Sequence, residues 1–174
     1  MALNDESPEI LETVSIPLGA RNATEMFKLA NYNKKGAEAL EREVHGYMND
    51  FMNKIKKYDY KDNAVLVATS STPLRLAAWI SKMPTYDKFM ADGVTVKISE
   101  LDDVIKKILP LSYFKRAKSV YIGRCRAKIF VAALIIFREI YREIGLEELT
   151  ASLKSAQEAI VAELWDDADK GYKL

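Results

Sequence analysis

The stretch Ala64-Val-Leu-Val-Ala-Thr-Ser-Ser-Thr-Pro-Leu-Arg-Leu-Ala-Ala-Trp-Ile80 decides the fold class. Ala64 to Ala68 is a short unbroken apolar run, the pattern of a strand buried on both faces of a sheet. Thr69, Ser70, Ser71 and Thr72 form a polar turn after it. Pro73 and the periodic Leu74, Leu76, Ala77, Trp79 and Ile80 then read as a helix with a hydroxyl cap and proline at its first position. The unit is strand, polar turn, helix.

Downstream the alternation repeats. Val94 to Ile98 is β-branched and alternating, a further strand. Ser99 then opens a helix whose Glu100 to Asp103 place negative charge at the positive dipole end. From Arg124 to Ile144 the spacing predicts one long buried helix that Gly145 ends. Leu149 to Leu153 reads as a strand, and Ser155 opens a final helix through Ala156, Ile160, Val161 and Leu164. Strands alternating with helices argue for an α/β sheet carrying helices on its faces.

Upstream, Val14, Ile16 and Leu18 alternate with polar residues and predict a strand over Glu12 to Leu18, with Pro17 marking it as an edge. Asn22 or Thr24 caps a short helix through Met26 and Phe27. Lys34 to Lys57 carries a continuous helical stripe through Ala37, Leu40, Val44, Met48, Phe51, Met52 and Ile55. His45 and Gly46 interrupt it. The histidine reads as a solvated or locally bonded group, and the glycine as a weak point of about 1 kcal/mol or a close packing contact.

The composition sets the class. The chain has 174 residues, 26 Lys+Arg against 25 Asp+Glu, one Cys and one His. That length predicts one domain, 1–174, with a real core. The net charge of +1 excludes a globally basic nucleic-acid coat, and no specific nucleic acid is expected. One Cys excludes an internal disulfide, and one His with one Cys gives no usual zinc set. The longest apolar run, Ile129 to Phe137, is far shorter than the ~20 residues of a membrane span. The acidic start, with Asp5, Glu6, Glu9 and Glu12, is unlike a signal peptide. A cytoplasmic protein is expected.

The catalytic inventory is thin. There is no phosphate-binding Walker loop, dinucleotide fingerprint or nucleophile elbow. The adjacent pairs Asp102/Asp103 and Asp166/Asp167 point in different directions on a helix. Cys125, between Arg124 and Arg126, reads as packing rather than nucleophile. No catalytic or metal-ligating residue is assigned. One charge pattern does stand out: no acidic residue falls between Val104 and Arg138, while Lys106, Lys107, Lys115, Arg116, Lys118, Arg124, Arg126 and Lys128 all do. Together with Ser70, Ser71 and Thr72 they form the candidate phosphate- or polyanion-binding set. The favoured reading of the basic residues is scattered, solvated helix faces, with the polyanion surface as its alternative.

Four segments, in order, carry a family resemblance. Ser15-Ile-Pro-Leu-Gly-Ala-Arg-Asn-Ala-Thr-Glu-Met-Phe27 resembles the segment after the phosphate loop of exopolyphosphatases and guanosine pentaphosphate phosphohydrolases. Val65 to Ala77 resembles that family's strand, Ser-Gly-Thr turn and helix. Arg126-Ala-Lys-Ile129 resembles its Arg-Ala segment and central helix, and Gly145 through Val161 its closing strand and Arg-Glu-Gly turn. The resemblance implies a single actin-like (ribonuclease H-like) α/β lobe, a mixed sheet with helices on its faces. It matches the second lobe alone. The first lobe, which supplies the phosphate loop and glutamate base, has no counterpart, so the divalent metal (Mg²⁺) is implied only for an enzyme completed in trans.

The departures share one direction. Asn4-Asp-Glu-Ser7 stands nearest to where the family has a glycine loop, and its carboxylates would repel phosphate. Ser71 replaces the turn glycine, Ala133 stands where glycine is common, and Gln157-Glu-Ala159 replaces Arg-Glu-Gly; Gly19 and Arg126 remain. The expectation is a lobe that is not catalytic alone and works by self-association or with a first-lobe subunit. The alternatives are a polyphosphate- or nucleotide-binding module and a hydrolase half completed in trans.

Overall fold

The computed structural model describes residues 2, 3, 8–155, 158, 160, 161, 164 and 165. A two-residue pairing of β1 (Ala2–Leu3) with β2 (Pro8–Glu9) precedes α1 (Ala20–Met26) and α2 (Lys34–Ile55). Then come β3 (Val67–Thr69), α3 (Ser71–Ile80), β4 (Thr95–Lys97), α4 (Ile98–Ile108), α5 (Tyr113–Lys118), α6 (Phe130–Ile144) and β5 (Glu148–Ser152). The main sheet is mixed, in the order β3-β5-β4. The last strand is central, parallel to β3 and antiparallel to β4.

The helical stripe read over Lys34 to Lys57 is α2. Its Leu40, Val44, Met48 and Met52 are buried against α6, which contributes Val131, Leu134 and Ile135. Each such side chain taken from water contributes about 1.5–3 kcal/mol, so this helix pair dominates the core. Polar contacts register the two helices: Arg138 bonds Glu41, and His45 Nδ1 lies 2.6 Å from Glu143 Oε1. At the head of α2 a Cβ on Gly36 would sit 2.2 Å from the Phe27 carbonyl oxygen, so the corner between α1 and α2 requires glycine. Gly46 has no such reason, since a Cβ there meets nothing within 4 Å.

Several expectations are corrected. Residues 12–18 form no strand. Ile16 and Leu18 pack on the core from an irregular strap, so their alternation records burial against helices and not a ladder, and Pro17 has no N–H to join one. The long helix begins at Phe130, because 123–129 is a series of tight turns opened by Gly123 at φ +74°. There Arg116 Nε donates to the Ala127 carbonyl oxygen at 2.8 Å, the acceptor a continuous helix would offer to residue 131. α4 starts at Ile98, with Glu100 Oε2 accepting from the Lys97 N–H at 3.2 Å, so Ser99 is inside the helix and not its cap. Pro73 is the third residue of α3, still in the turn whose N–H groups lack helical partners. α5 was not legible as a helix. Gly145 does end α6, at φ +71°.

The Ala64–Ala68 run is also not buried on both faces. It contributes β3 at the sheet's edge. Ala68, Leu149, Ala151 and Val96 turn toward the helices, whereas Val65 and Val67 are 77% and 54% exposed. Of the final helix, Glu158, Ile160, Val161, Leu164 and Trp165 are helical; Ala156 and the Gln157 and Ala159 of the last motif lie outside the described residues, as do Asn4 to Ser7.

Candidate functional site

At the C-terminal end of β3 the chain turns through Ser70 into α3. Ser70 holds φ +138° and ψ 177°, a region that favours glycine, and its hydroxyl accepts from the Thr72 N–H at 3.4 Å. One helical turn on, Arg75 reaches out of α3. Its guanidinium donates to the carbonyl oxygens of Tyr121 and Ile122, the latter at 3.0 Å, and stacks 4.0 Å from the Tyr86 ring centroid. Burial pulls the Arg75 pKa below its usual value; Tyr86 opposes this and the nearby Arg126 adds to it. Among the described residues, the buried Nε of Arg75 has no hydrogen-bond partner. Arg75 therefore fastens the hydroxyl turn to the loop that carries Arg124, Cys125, Arg126 and Lys128, all exposed. Sequence reading missed it, since one arginine inside an apolar helix carries no signal of what it will hold.

The candidate basic set divides. Arg116 is wholly buried, and it is corrected from polyanion ligand to structural anchor. Its guanidinium donates to the carbonyl oxygens of Ala30, Leu111 and Ala127 and to Asn31 Oδ1 at 3.4 Å. Desolvation lowers its pKa, and main-chain carbonyls, not a carboxylate, surround the charge. Lys106 and Lys107 are exposed at the C-terminal end of α4, where cations suit the helix dipole, and Lys106 lies 3.6 Å from Asp103. Lys115 and Lys118 are exposed on α5. The structure thus brings Ser70, Ser71 and Thr72 into one unit with the Arg124–Lys128 loop through Arg75, and distributes the lysines over two other helices.

Other polar groups are structural. Asp102 accepts from Tyr141 Oη at 2.6 Å and from Arg142 Nη2 at 3.0 Å. Burial raises its pKa, yet the two donors outweigh it and hold the carboxyl below its usual range. Burial and the Asp102 bond push the Tyr141 phenol upward. Among the described residues no group of three or more His, Cys, Asp or Glu could hold a metal ion, and no helix is long and apolar enough to cross a membrane.

The family model described as the Ppx/GppA phosphatase family matches residues 3–167. Among solved structures, a Ppx/GppA family member from Aquifex aeolicus superposes with TM-score 0.71 at 19% identity, covering 90% of this chain and 49% of that one. An exopolyphosphatase from Cytophaga hutchinsonii gives 0.77 at 14%, covering 91% and 51%. An exopolyphosphatase-like protein gives 0.77 at 14%, covering 87% and 49%. At such identity the likeness establishes the fold, an α/β actin-like lobe with a small mixed sheet. No curated protein matches in sequence. The chain spans about half the length of the solved relatives it matches, and it belongs to the Ppx/GppA phosphatase family.

Proposed function

We propose that this chain is an exopolyphosphatase-like second lobe that does not hydrolyse phosphoanhydrides alone and acts by association, with another copy or with a polypeptide supplying the complementary lobe, in the cytoplasm. The observation that carries this is the coverage: nearly all of the chain aligns with only 49–51% of each of three solved relatives. The turn carries the hydroxyls of Ser70, Ser71 and Thr72, and the loop carries the exposed Arg124, Cys125, Arg126 and Lys128. Phosphate release from polyphosphate with Mg²⁺ is the test. The purified chain releases none, and activity appears on adding a complementary lobe if the assembly is a hydrolase completed in trans. Turnover by the isolated chain refutes the reading.

A second reading, a polyphosphate- or nucleotide-binding module, draws support from one contact set: Arg75 joins the hydroxyl turn to the loop bearing exposed Arg124, Arg126 and Lys128. Binding through several phosphates weakens steeply with added salt. Arg124→Ala and Arg126→Ala would each reduce the salt slope; a salt-independent isotherm, or no binding at low ionic strength, removes this reading.

A further inference from the structure

The main sheet has two edges, and they are treated differently. β4 is short, carries Lys97, and runs directly into α4. Charge and brevity are the usual ways in which an edge is kept from pairing with another chain. β3 is as short as β4 but lacks the charge: it and the residues leading into it, 64–69, carry no charged residue and no proline, and Val65 and Val67 stand in solvent. The register fixes which main-chain groups are free. Val67 is opposite Thr150, and the Thr150 N–H donates to the Leu66 carbonyl oxygen at 2.9 Å. In a parallel ladder the polar groups of Leu66 and Ala68 then serve β5, and those of Val65 and Val67 point to the open side.

We propose that this edge is where a second copy of the chain docks, by antiparallel β3-to-β3 pairing about a two-fold axis at Leu66. This rests on the association reading above and gives it a surface and an occupant. In that register Val65 of each copy exchanges both main-chain hydrogen bonds with Val67 of the other, and Ala64 meets Ala68. The four valines form one apolar patch on the face of the sheet away from the helices. No like charges are brought opposite: Asp62 meets Ser70 and Lys61 meets Ser71. With a net charge of +1, the chain also carries little general repulsion against a copy of itself. The product is a continuous sheet with Lys97-bearing strands at both of its outer edges.

The experiment compares sedimentation of the full chain, Val67→Lys and the opposite-edge control Thr95→Lys over a concentration series. The wild type and the control form dimers; Val67→Lys raises the dimer dissociation constant about tenfold or more, because it removes a valine from the patch and puts a charge on the pairing edge. Should Val67→Lys fail to fold, amide hydrogen exchange on the wild type decides: Val65 and Val67 amides slow on going from dilute to concentrated protein. A wild type that stays monomeric, a dimer unmoved by Val67→Lys, or slowing located elsewhere overturns the proposal. A strict monomer that still forms an active complex with a complementary lobe overturns this inference and leaves the reading under Proposed function standing.

Discussion

The surroundings of Arg116 and the open side of β3 are opposite solutions to the same requirement. At Arg116 a full charge is buried, and the chain satisfies it from within through three carbonyl oxygens and Asn31. At β3 the groups are apolar or main-chain, and among the described residues no strand pairs with its outer side. From sequence, the basic segment was a candidate polyanion surface weighed against scattered, solvated faces, and the Ala64–Ala68 run was the deep interior. The difference teaches that what a charged or an apolar stretch does depends on the partners the fold brings within its reach. A cation with enough carbonyls in reach becomes mortar, while an uncharged strand at an edge becomes the place where something else fits.

The largest test of that contrast is Arg116→Ala. It strands the carbonyls of Ala30, Leu111 and Ala127 in the interior, and urea unfolding should show a loss of about 3–5 kcal/mol, since each buried unsatisfied group costs about 1–3 kcal/mol. Arg116→Lys recovers only part, because one ammonium does not reproduce the planar fork. A loss below about 1 kcal/mol would break the comparison, since Arg116 would then be dispensable and free for other duties. Arg75→Met comes next, at about 1–2 kcal/mol. It forfeits the bonds to Tyr121 and Ile122 and the stacking on Tyr86, but keeps the apolar stem and removes the unpartnered Nε. Proteolysis within 119–129 should also accelerate, because Arg75 is what fastens that loop to α3.

Asp102→Asn sharpens the comparison through pH. The folded-state pKa of Asp102 is depressed by Tyr141 and Arg142 despite burial. Its charged form therefore stabilises the protein above the unfolded value of about 3.9, and this contribution is lost as pH falls through the lower folded value. Asp102→Asn should be less stable by about 1 kcal/mol at pH 7 and should converge with the wild type in acid. A difference that persists unchanged at low pH would mean that shape, not charge, is what Asp102 contributes.

How far the sequence could be read follows the same physics. Periodicity located α2, the body of α6, and the strands near 94–98 and 149–153, because a regular helix or strand that turns its apolar side chains into the core leaves a regular repeat. It failed at 12–18, where an irregular strap buries alternate residues without a ladder, and at Arg124–Ile129, where the Arg116 guanidinium occupies a helix acceptor from another element. The Ser70–Thr72 turn was legible as a cap. Its link to the Arg124–Lys128 loop was not, since Arg75 acts across 46 positions of chain. A strand's place at an edge is likewise invisible locally: β3 reads as interior, and only the order β3-β5-β4 puts it outside.

The smallest expected effect is the most discriminating. In dilute solution Val67→Lys replaces one exposed side chain by another, and its unfolding free energy should stay within about 0.5 kcal/mol of the wild type. Compared at rising protein concentration, the two should diverge, because association that favours the folded state raises the wild-type melting temperature by mass action while the variant stays behind. A constant offset at every concentration would place Val67 among residues that matter within one chain. A gap that opens with concentration places it between chains, the one behaviour that Arg116, satisfied wholly from within, cannot produce.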